Sequence, residues 1–271
     1  MRISRIKTVA IITLAIINAL FLFVIISEEI SALSERQQML DGVSAIFEQN
    51  GISIDTKEID FDGAQYSYTT GRDALEEREI AIKLFGDVSE EELGTNMISY
   101  YGEGGAILFH SSGEFRITMA EGANYLEENI DKAIESVLNI LKIDSFKVNI
   151  TGSAGSEIAE VTCAYENMPV FNSKVIFEFE DGALKTVTGK RISGVTRGEA
   201  QDSLTAETAL VRFLPYAEQA GCTKVNSVTP GYLTTSVAMG DGSLNPAWNI
   251  STDAGEYYVN ATNGIFEWER N

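Results

Sequence analysis

From Thr8 to Ile26 the chain offers an apolar run relieved only by Thr13 and Asn18. Arg2, Arg5 and Lys7 precede it, and Glu28 and Glu29 follow it. A helix of this length, at ~1.5 Å per residue, comes close to spanning the ~30 Å hydrocarbon core of a bilayer. The basic flank favours a cytoplasmic N-terminus, with everything after Ile26 outside. A secretory signal peptide usually has a shorter apolar region of ~7–15 residues and a small-x-small cleavage site. Here the run leads into Ser27-Glu28-Glu29-Ile30 instead. The expectation is therefore a cytoplasmic tail at 1–7, an uncleaved transmembrane helix at 8–26 and an extracytoplasmic bulk, tethered to the lipid bilayer.

Charge narrows the partners. The net charge is −20, and all 40 acidic residues lie beyond the apolar run. Nucleic acid is excluded as an expected partner, because phosphate binding needs concentrated Lys and Arg. Flat contact with anionic lipid is disfavoured by like-charge repulsion. Cys163 and Cys222 could pair outside the membrane, but neither belongs to a C-x-x-C unit and nothing in their spacing demands a bridge.

Beyond the run, Met39, Leu40, Val43, Ile46 and Phe47 repeat at helical spacing, and Asn50-Gly51 is a stop signal. Residues 27–50 read as a helical stalk whose apolar stripe packs on the protein's own domain or on a partner's stalk. Leu75 to Phe85 reads either as a short helix ending at Gly86 or as irregular chain. Ala106–Phe109 and Phe115–Met119 look like a hairpin turned at Ser111-Ser112-Gly113. Leu126, Ile130, Ala133, Ile134, Val137, Leu138 and Leu141 fall on one face, predicting an amphipathic helix over 124–142. Strands are expected at 157–165 and 170–179, with Asp181-Gly182 turning the chain into 184–188.

The pattern then recurs. Thr205 is the expected N-cap of a helix burying Ala209, Leu210, Phe213 and Leu214, which Pro215 would kink or shorten. Strands are expected near 230–239, 246–252, 256–260 and 265–268. Helix followed by antiparallel strands, stated twice, predicts an α+β fold of two small extracytoplasmic units, 51–196 and 197–271, each laying a helix on one sheet face.

Three segments carry a family likeness. The first is Ile6-Lys7-Thr8, Ile11-Ile12, then Ile16-Ile17-Asn18 with Leu20-Phe21. The second is Tyr165 followed by Pro169-Val170-Phe171. The third is Pro246-Ala247-Trp248 with Ile250, then Tyr257-Tyr258-Val259-Asn260-Ala261 and Gly264. Together they resemble the YycI family, and the last segment is also similar to a PepSY-type ending. The likeness covers the apolar run and about 120–271, but not 51–105. It implies a PepSY/YycH-like fold and a Gram-positive, single-pass regulator of a two-component system. Such a regulator restrains a membrane histidine kinase governing cell-wall metabolism, together with a YycH-like sister protein, through contacts among transmembrane helices.

Candidate site residues follow from Asn18, a polar side chain near the middle of the run. An amide there is costly unless it finds a partner. Helical spacing sets Leu14, Ala15, Phe21, Leu22 and Ile25 beside it, and this face is the expected partner-binding surface. Chemistry elsewhere is sparse. His110, the single histidine, has no triad pattern around it. Glu76-Glu77 and Glu90-Glu91-Glu92 read as solvated faces. No calcium loop or His-Glu-x-x-His motif is present, so no catalytic, cofactor or metal site is expected. The chain is expected to be a regulator and not an enzyme. The alternatives are a PepSY-type inhibitor or chaperone of an extracellular peptidase, and a binding module for peptide or cell-wall fragments.

Overall fold

Local chemistry places the helices where it can be satisfied. A computed structural model describes residues 36–60, 63–64, 66–122, 129–153, 155–200, 203–235 and 242–268, with Leu14, Ile17, Asn18, Phe21 and Leu22. Helix α1 is described over 36–49, where it buries Leu40, Val43 and Phe47 and leaves Met39 and Ile46 exposed. Helix α2 (Ala74–Phe85) is N-capped by Asp73, whose side chain accepts from the Glu76 N–H, and ends at Gly86. Helix α3 (Ile130–Leu141) is capped by Asn129 and closes on Lys142 in the left-handed region. Helix α4 (Ala206–Ala220) starts at the expected Thr205 cap and carries Pro215 in its interior without ending there. Leu126 lies outside the described residues.

The strands are β1 (Ser53–Ile54), β2 (Tyr66–Thr70), β3 (Ser89–Glu92), β4 (Met97–Gly102), β5 (Gly105–His110), β6 (Glu114–Met119), β7 (Asp144–Ser153), β8 (Ser156–Tyr165), β9 (Met168–Glu180) and β10 (Ala183–Lys190). Then follow β11 (Thr196–Ala200), β12 (Lys224–Thr235), β13 (Gly242–Thr252), β14 (Gly255–Asn260) and β15 (Phe266–Trp268). Strands β3-β4-β5-β6-β10-β9-β8-β7 pair antiparallel in that order. Helix α2 lies against β4 and β5, and α3 lies beside α2 and β7. The other strands gather around β13. One edge of β13 meets β12, and its other edge meets β2 and then β14. Helices α1 and α4 share the core on this second half with Val225, Val228, Trp248 and Ile250.

This architecture corrects the expectation of two small sheet-on-helix units behind a membrane helix. All fifteen strands belong to one mixed sheet, accompanied by four helices among the described residues. Two links fuse the halves. Strand β11 crosses the expected boundary to pair with β2, which pairs in turn with β13. Strands β9 and β12 meet in parallel at Val170 and Tyr232. A strand in the middle of a ladder satisfies its backbone groups on both edges, so shared strands favour one sheet over two.

The single-pass membrane reading is corrected too. Among the described residues no helix is long and apolar enough to cross a membrane. Helix α1, in the segment read as a stalk, buries one stripe against the protein's own core and carries Arg36, Asp41 and Glu48. Most of 8–26, Ala15 and Ile25 included, lies outside the described residues.

Candidate functional site

The two halves of the sheet meet at a seam where β9, which carries the Pro169–Phe171 part of the family likeness, runs beside β12, which carries none of it. Strands β8 and β9 are joined by Glu166-Asn167, both left-handed, the geometry of a tight hairpin turn. Pro169 then brings β9 against Gly231 of β12. A Cβ on Gly231 would stand 2.5 Å from the Pro169 carbonyl oxygen and 2.6 Å from the Phe171 ring, so only glycine fits. Beyond Val170 the ladder is continued by a side chain. The Asn172 amide donates to the Thr234 carbonyl at 2.8 Å, and its oxygen accepts from the Thr234 N–H at 2.8 Å. Lys190 Nζ donates to the Thr234 hydroxyl at 3.1 Å, and Ser173 donates to the Lys190 carbonyl at 3.1 Å. Burial pushes the Lys190 ammonium below its usual range, partly opposed by Glu114.

On the helix side of the seam, Tyr68, Tyr165 and Tyr232 meet edge to face, with ring centroids 4.8, 5.8 and 6.0 Å apart. Burial, reinforced by Glu166 and Tyr232, holds the Tyr68 phenol far above its usual range. The connection after β10 carries Arg191, whose side chain is 3% exposed and whose Nη1 donates to Glu76 at 2.6 Å. Lys142, at the end of α3, reaches the other Glu76 oxygen at 2.6 Å. Burial alone would raise the Glu76 pKa, but Lys142 and Arg191 outweigh it and hold the carboxyl below its ordinary value. Arg72 pairs with Glu77 at 2.7 Å; burial outweighs that pairing and raises the Glu77 pKa. Glu76 thus ties α2 to α3 and to the connection after β10, and Glu77 ties it to the connection that enters it; neither is the solvated face expected from sequence.

No helix among the described residues lines the opposite face of the seam, which forms an open groove of about 440 Å³. Phe171 and Tyr258 stack at its base with centroids 5.2 Å apart. Phe146, Lys147 and Lys174 line one wall, with Lys174 paired to Glu160 at 3.2 Å. Asn249, Ser251 and Glu256 line the other, with Ser251 donating to Glu256 at 2.7 Å. An open, mixed-charge groove with an aromatic base suits contact with another chain better than enclosure of a small molecule.

The predicted site residues lie apart from this seam. Leu14, Asn18, Phe21 and Leu22 are helical and exposed, at spacings that put them on one face; nothing in the structure joins them to a partner. Cys163 and Cys222 are buried and unbridged, and burial pushes both thiols up. Among the described residues no group of His, Cys, Asp and Glu is placed to hold a metal. Sequence reasoning missed Asn172, Lys174, Lys190 and Tyr232. Their importance depends on strand pairing, which leaves no local motif. Pro169, Phe171 and Tyr258 did stand within the segments singled out.

No family model matches the chain, and no curated protein matches it. Among solved structures it is similar to an uncharacterized protein from Eubacterium rectale ATCC 33656, with a TM-score of 0.49 and 8% identity. That match covers 81% of this chain and 90% of the other.

Proposed function

We propose that the chain is a regulatory binding protein, not an enzyme, acting outside the cytoplasm on a membrane sensor histidine kinase together with a YycH-like sister protein. One observation supports this reading. The separate segments 165–171, 246–250 and 257–264, which resemble the YycI family, converge on one seam. There Pro169, Phe171 and Tyr258 supply the base of the open groove. Regulation would then be a population shift, since docking on one kinase conformation changes activity only through differential affinity for the two states. A tenfold bias needs ~1.4 kcal/mol.

The test is crosslinking in living cells from a photoreactive residue at Thr162 or at Ser227, both of which line the groove. Recovery of a sensor kinase or a YycH-like protein supports the reading. Recovery of a secreted peptidase overturns it in favour of an inhibitor.

A further inference from the structure

The sheet half that runs from β3 to β7 has two edges of opposite character. At one edge, β3 is four residues long and presents Glu90, Glu91 and Glu92. Short length and like charge are the usual protections against a stray strand. At the other edge, β7 is ten residues long, and every one is exposed. It pairs with β8 alone among the described residues. Its charged side chains are Asp144 and Lys147, and beyond the bulge near Phe146 it alternates Val148, Asn149, Ile150 and Thr151.

The register shows where the apolar residues look. Val148 lies opposite Val161 and Ile150 opposite Ala159, both wholly buried on the helix side of the sheet. Yet Val148 is 42% and Ile150 44% exposed, because α3 does not cover them. Between α3 and β7 runs a groove of about 390 Å³. Ile134, Leu138 and Val148 form its floor, and Asp131, Glu135 and Asp144 stand along it. These three carboxylates have no ion-pair partner among the described residues.

We infer that β7 is a docking edge that takes an added strand from a partner protein, an extended segment alternating apolar with basic residues. The backbone edge supplies N–H and C=O groups for the ladder, and the groove receives alternate side chains. The carboxylates select Lys or Arg in the incoming strand. A second copy of this chain is a poor occupant, since each carries −20 and would bring identical carboxylate rims together. The inference needs only that the chain binds other proteins, and its groove beside α3 lies on the opposite face of the sheet from the seam groove, which β7 borders only through Phe146, Lys147 and Asn149. A negative crosslinking result at Thr162 and Ser227, neither of them in β7, therefore leaves it intact.

The experiment titrates the full-length chain with fluorescein-labelled ten-residue peptides, followed by anisotropy and amide exchange. One peptide alternates Val and Lys, and the other alternates Val and Glu. The Val–Lys peptide should bind saturably and slow exchange in β7. Val148→Lys with Ile150→Lys, or Asp131→Lys with Glu135→Lys, should weaken it at least tenfold. Glu90→Lys with Glu91→Lys, the same charge change at the far edge, should not. Equal binding of both peptides, protection elsewhere than β7, or equal loss with the β3 variant would overturn the inference. So would a dimer in sedimentation that the β7 variant abolishes, since the edge would then serve self-association.

Discussion

Replacing Gly231 by alanine tests the seam with one methyl group. The new Cβ would stand 2.5 Å from the Pro169 carbonyl oxygen and 2.6 Å from the Phe171 ring. The ring is the far end of a side chain and can turn, at the expense of its stack on Tyr258. The carbonyl is backbone, so β9 and β12 must separate by about half an ångström to reach even a 3.0 Å contact. That movement stretches the Val170–Tyr232 bridge and the Asn172–Thr234 bonds next to it. Overpacking of this kind costs about 1–3 kcal/mol, and the backbone clash puts Gly231→Ala in the upper part of that range. Urea denaturation followed by tryptophan fluorescence is suited to it, because Trp248 lies opposite Pro230 in the neighbouring strand. Gly42→Ala is the control. It sits within α1, nothing would lie within 4 Å of its Cβ, and alanine there should stabilise by about 0.5–1 kcal/mol. A Gly231→Ala variant within about 0.5 kcal/mol of wild type, the range of an ordinary surface change, would refute the account of the seam.

Glu76→Gln should cost about 3 kcal/mol at neutral pH by chemical denaturation, since it strips the buried Arg191 of its carboxylate. The Glu76 pKa is lowered on folding, so its stabilisation is present above the ordinary carboxylate range and lost as pH falls through the folded value; the gap to wild type should close in acid. Asp253 accepts from the backbone N–H groups of Thr223 and Lys224, which with the Thr223 hydroxyl hold its carboxyl well below its usual value. Asp253→Asn should therefore lower the melting temperature at pH 7, with the difference shrinking as pH falls below about 3.9. Tyr68→Phe should change stability by less than about 1 kcal/mol in the same assay, because the buried Tyr68 hydroxyl makes no hydrogen bond of good geometry among the described residues and meets Glu166 and Tyr232 only loosely.

Much of the local structure was legible. The Thr205 cap, the Asp181-Gly182 turn and the apolar stripe of α3 are set by residues within a few positions of one another, and each stands where the pattern puts it. The stripe of α1 resolved toward the protein's own core. What the pattern did not hold was association at long range. Nothing near Tyr66–Thr70 announces that its partners are β11 and β13. Strand β7 was passed over, although Phe146, Val148 and Ile150 alternate within it, because its weak polarity contrast gives little signal on an open edge. Helix followed by strands does recur in the element order, but the two units expected from it are one sheet, and nothing in the pattern reveals the close approach at Gly231 that fuses them. The seam's aromatic residues were visible as motif members, whereas Asn172 and Lys190 act through neighbours that only the folded sheet supplies.

The pairing of β1 with β12 also fixes an order of events during synthesis. Ser53 reaches the Thr223 carbonyl across 170 positions of chain, and β2 waits about as long for β13. At ~5–20 residues per second, a ribosome takes roughly ten to thirty seconds to cover that distance. Meanwhile everything from β3 to β10, with α2 and α3, is already complete and contiguous. The nascent chain is then a finished middle preceded by two orphan strands, which are claimed only when the C-terminal third arrives. Truncation anywhere before β11 would strand both permanently, so quality control meets this protein as a folded centre with a sticky leading end.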